Sequence, residues 1–163
     1  MTNDRPTSAV LQSIRRARPS EAEVLSELAL RSKGHWGYDE AFLAACRSEL
    51  QVIEEDLDRL IVRIAVEAAT EVPLGFFAYR RGDDERSELT MLFVEPNYIG
   101  QGVGRVLFDD ATAEARRRGD TEFVIEAEPH ALAFYERMGA HRIGEVPSGS
   151  IPGRMIPLYQ LEL

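Results

Sequence analysis

Three glycines at alternate positions, Gly100, Gly102 and Gly104, stand between an apolar stretch and an amphipathic pattern. This order predicts a glycine-rich turn that leads from a strand into a helix. The first N–H groups of a helix have no partner within the helix, and they bind anions such as phosphate. The stretch therefore indicates a phosphate site, and the alternative is a flexible turn without a ligand.

Two common phosphate-binding signatures do not match this turn. A Walker loop requires Gly-Lys-Ser/Thr, whereas the chain has Gly104-Arg105-Val106. A dinucleotide fingerprint requires a third glycine where Arg105 or Leu107 stands. Both signatures are excluded.

Hydrophobic periodicity and turn residues predict the elements that position the turn. In chain order they are a strand (13–18), helices (20–33 and 39–50), three antiparallel strands (59–68, 72–81 and 86–95), a helix (102–118), a strand (121–128), a helix (129–139) and two strands (141–146 and 154–163). Ser20 and Asp39 are the predicted helix caps, and Val24 and Val106 are predicted on buried helix faces. The pattern predicts one mixed α/β domain over 1–163, with 1–12 as a flexible lead-in.

The turn resembles the Q/R-x-x-G-x-G/A turn of the GNAT acyltransferase superfamily. The stretch ELTMLFVEP (88–96) is similar to the family's fourth strand, and HALAFYERMGA (130–140) is similar to its helix near the end. One residue departs from the pattern, because Ile99 stands where the family usually has Arg or Gln. The resemblance, which is to bacterial members, implies an α/β (α+β) fold with a mixed, mostly antiparallel sheet of six to seven strands and about four helices.

The resemblance also implies acetyl-CoA (coenzyme A) as co-substrate. In the family, the turn binds the pyrophosphate and the fourth strand pairs with the pantetheine arm. The corresponding residues are Gly100, Gln101, Gly102, Val103, Gly104 and Arg105 for the pyrophosphate, Leu92, Phe93 and Val94 for the pantetheine, and His130 for a further coenzyme contact. His130 has a second interpretation as a helix cap. No metal is predicted, since no His, Cys or carboxylate cluster has metal-ligand spacing.

Acyl transfer from a thioester to an amine needs a base for the ammonium and an acid for the departing thiolate. Tyr135 matches the family's tyrosine and is the predicted acid; the alternative is a core aromatic. Glu88 occupies the strand position where some members carry a glutamate base, and alternation places it on the face of Leu92. The alternative for Glu88 is a solvated charge, and Glu126 is a further candidate base.

The segment 31–40 links the first two helices and often lines the acceptor site in this family. Its predicted acceptor residues are Arg31, His35, Trp36 and Tyr38. Aromatic rings suit a cation and Arg31 suits a carboxylate, so an amine or amino acid is expected. Alternatively, Trp36 and Tyr38 hold the segment against the sheet. Ser148, Ser150 and Arg154 could also touch the acceptor, or form a structural loop.

Composition limits the partners and the location. The net charge of −9 opposes non-specific nucleic-acid binding, and no apolar run reaches the roughly 18–20 residues of a membrane span. The lack of a signal-peptide pattern and the single cysteine, Cys46, favour a reducing cytoplasm. A homodimer is a further possibility that the resemblance raises.

The predicted function is transfer of an acetyl group from acetyl-CoA to a primary amine of a small molecule or amino acid, by direct attack of the amine. One alternative is a non-catalytic acyl-CoA-binding module. Another is an acyltransferase that acts on a protein amine.

Overall fold

Seven strands form one mixed sheet in the computed structural model, which describes residues 12–163. The strands are β1 (Gln12–Arg16), β2 (Ile61–Glu67), β3 (Pro73–Arg81), β4 (Arg86–Val94), β5 (Glu122–Glu126), β6 (His141–Pro147) and β7 (Met155–Glu162). The α-helices are α1 (Ala22–Gly34), α2 (Glu40–Leu50), α3 (Asp56–Arg59), α4 (Val103–Arg117) and α5 (Leu132–Arg137). The strand order is β1-β2-β3-β4-β5-β7-β6, and the pairs are antiparallel except for β4–β5. This confirms the predicted fold class.

Two differences from the prediction concern the least periodic parts of the chain. The helix α3 was not predicted, because its four residues are too few to show a helical period. The predicted lead-in, 1–12, lies outside the described residues except for Gln12, which pairs with Glu67 at the start of β1.

The start of α1 differs from the predicted cap at Ser20. A 3-10 turn, Pro19–Glu21, precedes the helix, and the Arg18 N–H donates to Glu21 Oε2 at 2.8 Å. Proline suits the first position of a helical turn, so the turn begins before Ser20 and Glu21 closes it. The predicted cap of α2 is confirmed, because the Phe42 N–H donates to Asp39 Oδ1 at 2.8 Å.

The buried helix faces differ from the prediction at two positions. Val24 is 42% exposed and Val106 is 37% exposed, so their predicted burial is wrong. Each lies one residue, about 100° of helical rotation, from the centre of the stripe that packs on the sheet. The other predicted residues are buried, and they are Leu25, Leu28 and Ala29 in α1 and Val103, Leu107 and Ala111 in α4.

A β-bulge interrupts β4 at Thr90. Ala78 pairs with Met91 and the next residue, Tyr79, pairs with Leu89, so Thr90 is an extra residue. Leu89 consequently packs in the core on the α4 side of the sheet, whereas Met91 packs on the α1 side. The predicted alternation, which placed Glu88 on the face of Leu92, is wrong because the bulge shifts the alternation by one residue.

The strands β4 and β5 separate after the bulge. Their parallel pairing covers only the residues from Arg86 to Leu89 in β4 and from Glu122 to Ile125 in β5. The second half of β4 therefore leaves its main chain facing a gap, since β5 pairs on its other edge with β7.

The helices cover the sheet unevenly. The buried cluster on the α1 and α2 side joins these helices to β2 and β3. On the same side, β5, β7 and β6 present side chains that lie outside this cluster, among them Val124, Glu126 and Leu158. This part of the sheet face therefore forms the floor of a cavity.

Candidate active site

The glycine turn has the conformation that its sequence predicts. Gly100 and Gly102 have φ angles of 83° and 86°, in the left-handed region that favours glycine. A Cβ atom at either position would meet nothing within 4 Å, so the space beside the turn is open. Gly104 differs, because its Cβ would lie 3.6 Å from the Phe134 ring.

The first turn of α4 directs free N–H groups towards this open space. The Val106 N–H donates to the Gly102 carbonyl at 3.1 Å, which begins the helical hydrogen bonding. Within residues 12–163, no acceptor lies at the N–H groups of Gly102, Val103, Gly104 and Arg105. Four such donors at the positive end of a 15-residue helix form a site for an anion.

A cavity of about 910 Å³, which we call the glycine-turn cavity, extends from this turn to the gap beside β4. Its lining includes these predicted residues: Trp36, Leu92, Phe93, Val94, Gly100, Gly102, Gly104, Arg105, His130 and Tyr135. The other two predicted coenzyme residues do not line it: the Val103 side chain is buried, and the Gln101 side chain donates to the Asn97 carbonyl at 2.9 Å.

The main chain of β4 presents alternate residues to the gap. The Glu95 N–H donates to the Leu74 carbonyl at 2.8 Å, so alternation directs the polar groups of Phe93 to β3 and those of Leu92 and Val94 to the gap. The Val94 N–H donates a hydrogen bond to Ser32 Oγ at 3.3 Å. Of the three predicted strand residues, Leu92 can therefore pair with a ligand in the gap through its N–H and carbonyl and Val94 through its carbonyl, whereas the main chain of Phe93 faces β3.

Tyr135 borders two cavities. Its side chain lines the glycine-turn cavity and a second cavity of about 570 Å³ on the uncovered face of β5, β7 and β6, which we call the sheet-face cavity. The residue is only 6% exposed, and its hydroxyl makes no hydrogen bond with the described part of the chain. Burial raises the pKa of Tyr135 and the Glu128 carboxylate raises it further, so the phenol keeps its proton at neutral pH.

Glu128 holds the walls of the two cavities together. Its carboxylate accepts hydrogen bonds from Lys33, from the Tyr38 hydroxyl at 2.5 Å, and from His130 Nδ1 at 2.8 Å. Burial alone would raise the pKa of Glu128, but these hydrogen bonds outweigh burial and lower the pKa to about 2. The carboxylate is therefore ionised throughout the neutral range.

Sequence reasoning missed Glu128 and Lys33. Glu128 precedes Pro129, and its side chain caps the short turn that leads to α5. An acidic residue directly before a proline was the signal that could have found it. The contact with Lys33, 95 positions away, had no local signal.

The predicted acceptor segment contacts the residues that connect β5 to α5. The Trp36 ring stacks on the His130 ring, with centroids 5.4 Å apart. The Tyr38 hydroxyl donates a hydrogen bond to Glu128, so Trp36 and Tyr38 together attach the segment to this connection.

None of the four predicted acceptor residues lines the sheet-face cavity. Arg31 instead makes two hydrogen bonds to the Glu95 carboxylate, at 2.9 and 2.8 Å, which join α1 to the end of β4. His35 is exposed and contacts the edge of Trp36. The four residues lie away from the sheet-face cavity because their segment packs towards the glycine-turn cavity rather than over the open sheet face.

Two of the carboxylates that line the sheet-face cavity, Glu88 and Glu126, differ in their partners. Glu88 is paired with Arg80. Glu126 has no ion pair within residues 12–163; burial raises its pKa and the carboxylates of Glu49 and Glu88 raise it further, against a smaller lowering by Arg80. An apolar wall, formed by Val146, Ile156 and Leu158, lines the same cavity, and Leu158 is the strand partner of Glu126.

Two features are absent from the described residues. Residues 12–163 hold no group of three or more His, Cys, Asp or Glu side chains placed to bind a metal ion. No helix in this part of the chain is long and apolar enough to cross a membrane.

Sequence comparisons place this fold in a family of acyltransferases. The model of the acetyltransferase (GNAT) domain matches residues 22–148. Over 151 residues, the chain is 31% identical to the peptidyl-lysine N-acetyltransferase YjaB of Salmonella typhimurium, covering 91% of this chain and 96% of that protein. The chain therefore belongs to the GNAT acetyltransferase family.

Solved structures show the same fold. PaiA N-acetyltransferase from Thermoplasma acidophilum, in complex with coenzyme A, superposes with a TM-score of 0.77 at 18% identity, covering 93% of this chain and 99% of that chain. A GCN5-related N-acetyltransferase from Rhodopseudomonas palustris gives a TM-score of 0.74 at 24% identity, covering 94% of this chain and 96% of that chain.

Proposed function

We propose that the protein transfers an acetyl group from acetyl-CoA to a primary amine that binds in the sheet-face cavity. The observation that carries this proposal is the position of Tyr135, a buried phenol that borders both cavities and makes no hydrogen bond within residues 12–163. A thioester that reaches Tyr135 from one cavity would meet an amine that enters from the other.

The glycine-turn cavity fits coenzyme A. The free N–H groups at the start of α4 would bind the pyrophosphate, and the open space beside Gly100 and Gly102 leaves room for it. The pantetheine arm would pair with the main chain of Leu92 and Val94, in the gap where β4 lacks a neighbouring strand. The PaiA structure, which contains coenzyme A, supports this assignment by its similar fold.

The reaction forms one bond and breaks one. The amine nitrogen bonds to the acetyl carbonyl carbon, and the carbon–sulfur bond breaks. Tyr135 gives its proton to the departing thiolate, and the nitrogen releases a proton that restores the hydroxyl as the amide forms. The ammonium must first lose another proton to a base, so the net products are an N-acetyl amide, a thiol and one proton.

We assign the role of base to Glu126, with Glu88 as the second candidate. Glu126 makes no ion pair within residues 12–163, and its raised pKa makes it a better proton acceptor than an ordinary carboxylate. Glu88 is less available to a substrate ammonium, because its carboxylate is paired with Arg80.

The experiment that tests this function is incubation of the purified protein with acetyl-CoA and a panel of primary amines. Free thiol and N-acetyl product should appear in equal amounts with at least one amine. If the protein binds coenzyme A but no amine increases thiol release, the proposal fails in favour of the non-catalytic binding module.

A second candidate function is acetylation of a protein amine. It is favoured by the 31% identity to a peptidyl-lysine N-acetyltransferase over most of both chains. Lysine-containing peptides therefore belong in the same panel, next to free amines and amino acids. Acetylation of the peptides alone would support this second function.

A further inference from the structure

We propose that Arg154 binds a carboxylate of the acceptor, so that the acceptor is a small molecule carrying both a primary amine and a carboxylate. This inference rests on the proposed acetyl transfer and names the substrate class of the same site. It begins from the charged side chains that line the sheet-face cavity.

Four cationic side chains line this cavity, and three of them are engaged with carboxylates. Lys33 is paired with Glu128 and Arg80 is paired with Glu88, while Arg86 Nε lies 3.6 Å from Glu122 Oε2. Arg154 alone makes no ion pair within residues 12–163. Its positive charge is therefore available to a ligand in the cavity.

The Arg154 guanidinium is held in a fixed position. It lies over the Phe42 ring at 4.8 Å and over the Tyr38 ring at 5.3 Å, and it donates a hydrogen bond to the Tyr38 hydroxyl at 2.8 Å. Tyr38 in turn donates to Glu128. Because Tyr38 remains a neutral phenol, it orients the guanidinium without neutralising it, and donors remain for a planar carboxylate.

The loop that carries Arg154 is also fixed. Ser150 donates to Glu49 Oε2 at 2.8 Å, and its hydroxyl lies 3.5 Å from Cys46 Sγ, so the loop between β6 and β7 is attached to α2. A Cβ atom on Gly149 would come within 2.1 Å of Glu49 Oε1, so glycine permits this close approach. Arg154 is thus presented to the cavity by packed elements on both sides.

The same cavity holds an unpaired charge of the opposite sign. Glu126 makes no ion pair within residues 12–163, and the apolar wall of Val146, Ile156 and Leu158 lies in the same cavity. Leu158 pairs with Glu126, and Arg154 lies four positions before Leu158, roughly 13 Å along an extended chain. All three groups would be satisfied by an acceptor that places its ammonium at Glu126, its aliphatic or aromatic body on the wall and its carboxylate at Arg154.

The test compares matched acceptors with the parent protein and with Arg154→Gln. Each amino acid is paired with the amine that lacks its carboxylate: phenylalanine with phenethylamine, and aminohexanoate with hexylamine. The parent should prefer the amino acid of at least one pair. Arg154→Gln should raise KM for that amino acid about ten- to a hundredfold, as expected for loss of a charged hydrogen-bonded contact, and leave KM for its partner amine unchanged.

Arg142→Gln is the matched control, since Arg142 is exposed and pairs with Glu145 outside the cavity. Calorimetry with coenzyme A checks that each variant retains its cofactor site. The inference would be overturned if the parent preferred amines without a carboxylate or peptidyl lysine. It would also be overturned if Arg154→Gln affected both members of a pair equally. In each of these cases acetyl transfer would still stand. Failure to bind coenzyme A would remove both.

Discussion

Replacing Glu128 with Gln should destabilise the protein in a pH-dependent manner. The substitution keeps the shape of the side chain and removes the charge that Lys33, Tyr38 and His130 surround. The pKa of Glu128 falls from 4.5 to about 2 on folding, and each pKa unit corresponds to about 1.4 kcal/mol. The ionised carboxylate therefore contributes on the order of 3 kcal/mol at pH 7.

The sign of the pH dependence follows from the lowered pKa. The contribution is complete above the unfolded pKa of 4.5 and is lost as pH falls towards the folded pKa of about 2. By linkage, about 2 kcal/mol should remain at about pH 3.5. The difference in unfolding free energy between the parent and Glu128→Gln should narrow accordingly.

Urea unfolding of both proteins at neutral and acidic pH measures this difference. Glu145→Gln is the control, because Glu145 forms an exposed ion pair with Arg142, and such pairs contribute at most about 1 kcal/mol. Equal stability of Glu128→Gln and the parent at neutral pH, or a difference that does not change with pH, would refute the reasoning about this network.

Three further predictions test the site itself. Tyr135→Phe should lower kcat by about 10² and preserve coenzyme affinity in calorimetry, because it removes the proton donor alone; an unchanged kcat excludes Tyr135 as the acid. Gly102→Ala should weaken coenzyme binding at least about tenfold, because the substitution strains the turn. Gly119→Ala is its control, since Gly119 has a similar φ of 88° at the other end of α4. This control should lose about 1 kcal/mol of stability and keep coenzyme affinity. Glu126→Gln should lower kcat by about 10² and Glu88→Gln by less, and the reverse order in steady-state kinetics would transfer the base role to Glu88.

Local signals were sufficient to predict most of the fold. The three central strands are separated by turn residues, and α4 ends at Arg117, two residues before Gly119, whose φ of 88° matches the predicted stop. The glycine turn was predictable because its conformation is a property of Gly100 and Gly102 themselves. In each case, neighbouring residues determine the structure without help from distant parts of the chain.

The remaining features depend on contacts between distant residues. The bulge at Thr90 has no turn residue to mark it; the Thr90 hydroxyl donates to the Ala78 carbonyl at 3.0 Å across the strands. Arg31, a predicted acceptor residue, donates a hydrogen bond to Glu95, which lies 64 positions away in the sequence. Whether a charged side chain is free to bind a ligand depends on its partners in the folded protein, and composition and spacing do not show these partners.

The most direct test of the account is titration calorimetry of the folded protein with coenzyme A and with pantetheine, which lacks the pyrophosphate. The free N–H groups of Gly102, Val103, Gly104 and Arg105 predict that coenzyme A binds with one-to-one stoichiometry and that pantetheine binds far more weakly. Equal affinity for the two ligands, or no heat with coenzyme A, would contradict the claim that the start of α4 is the coenzyme site.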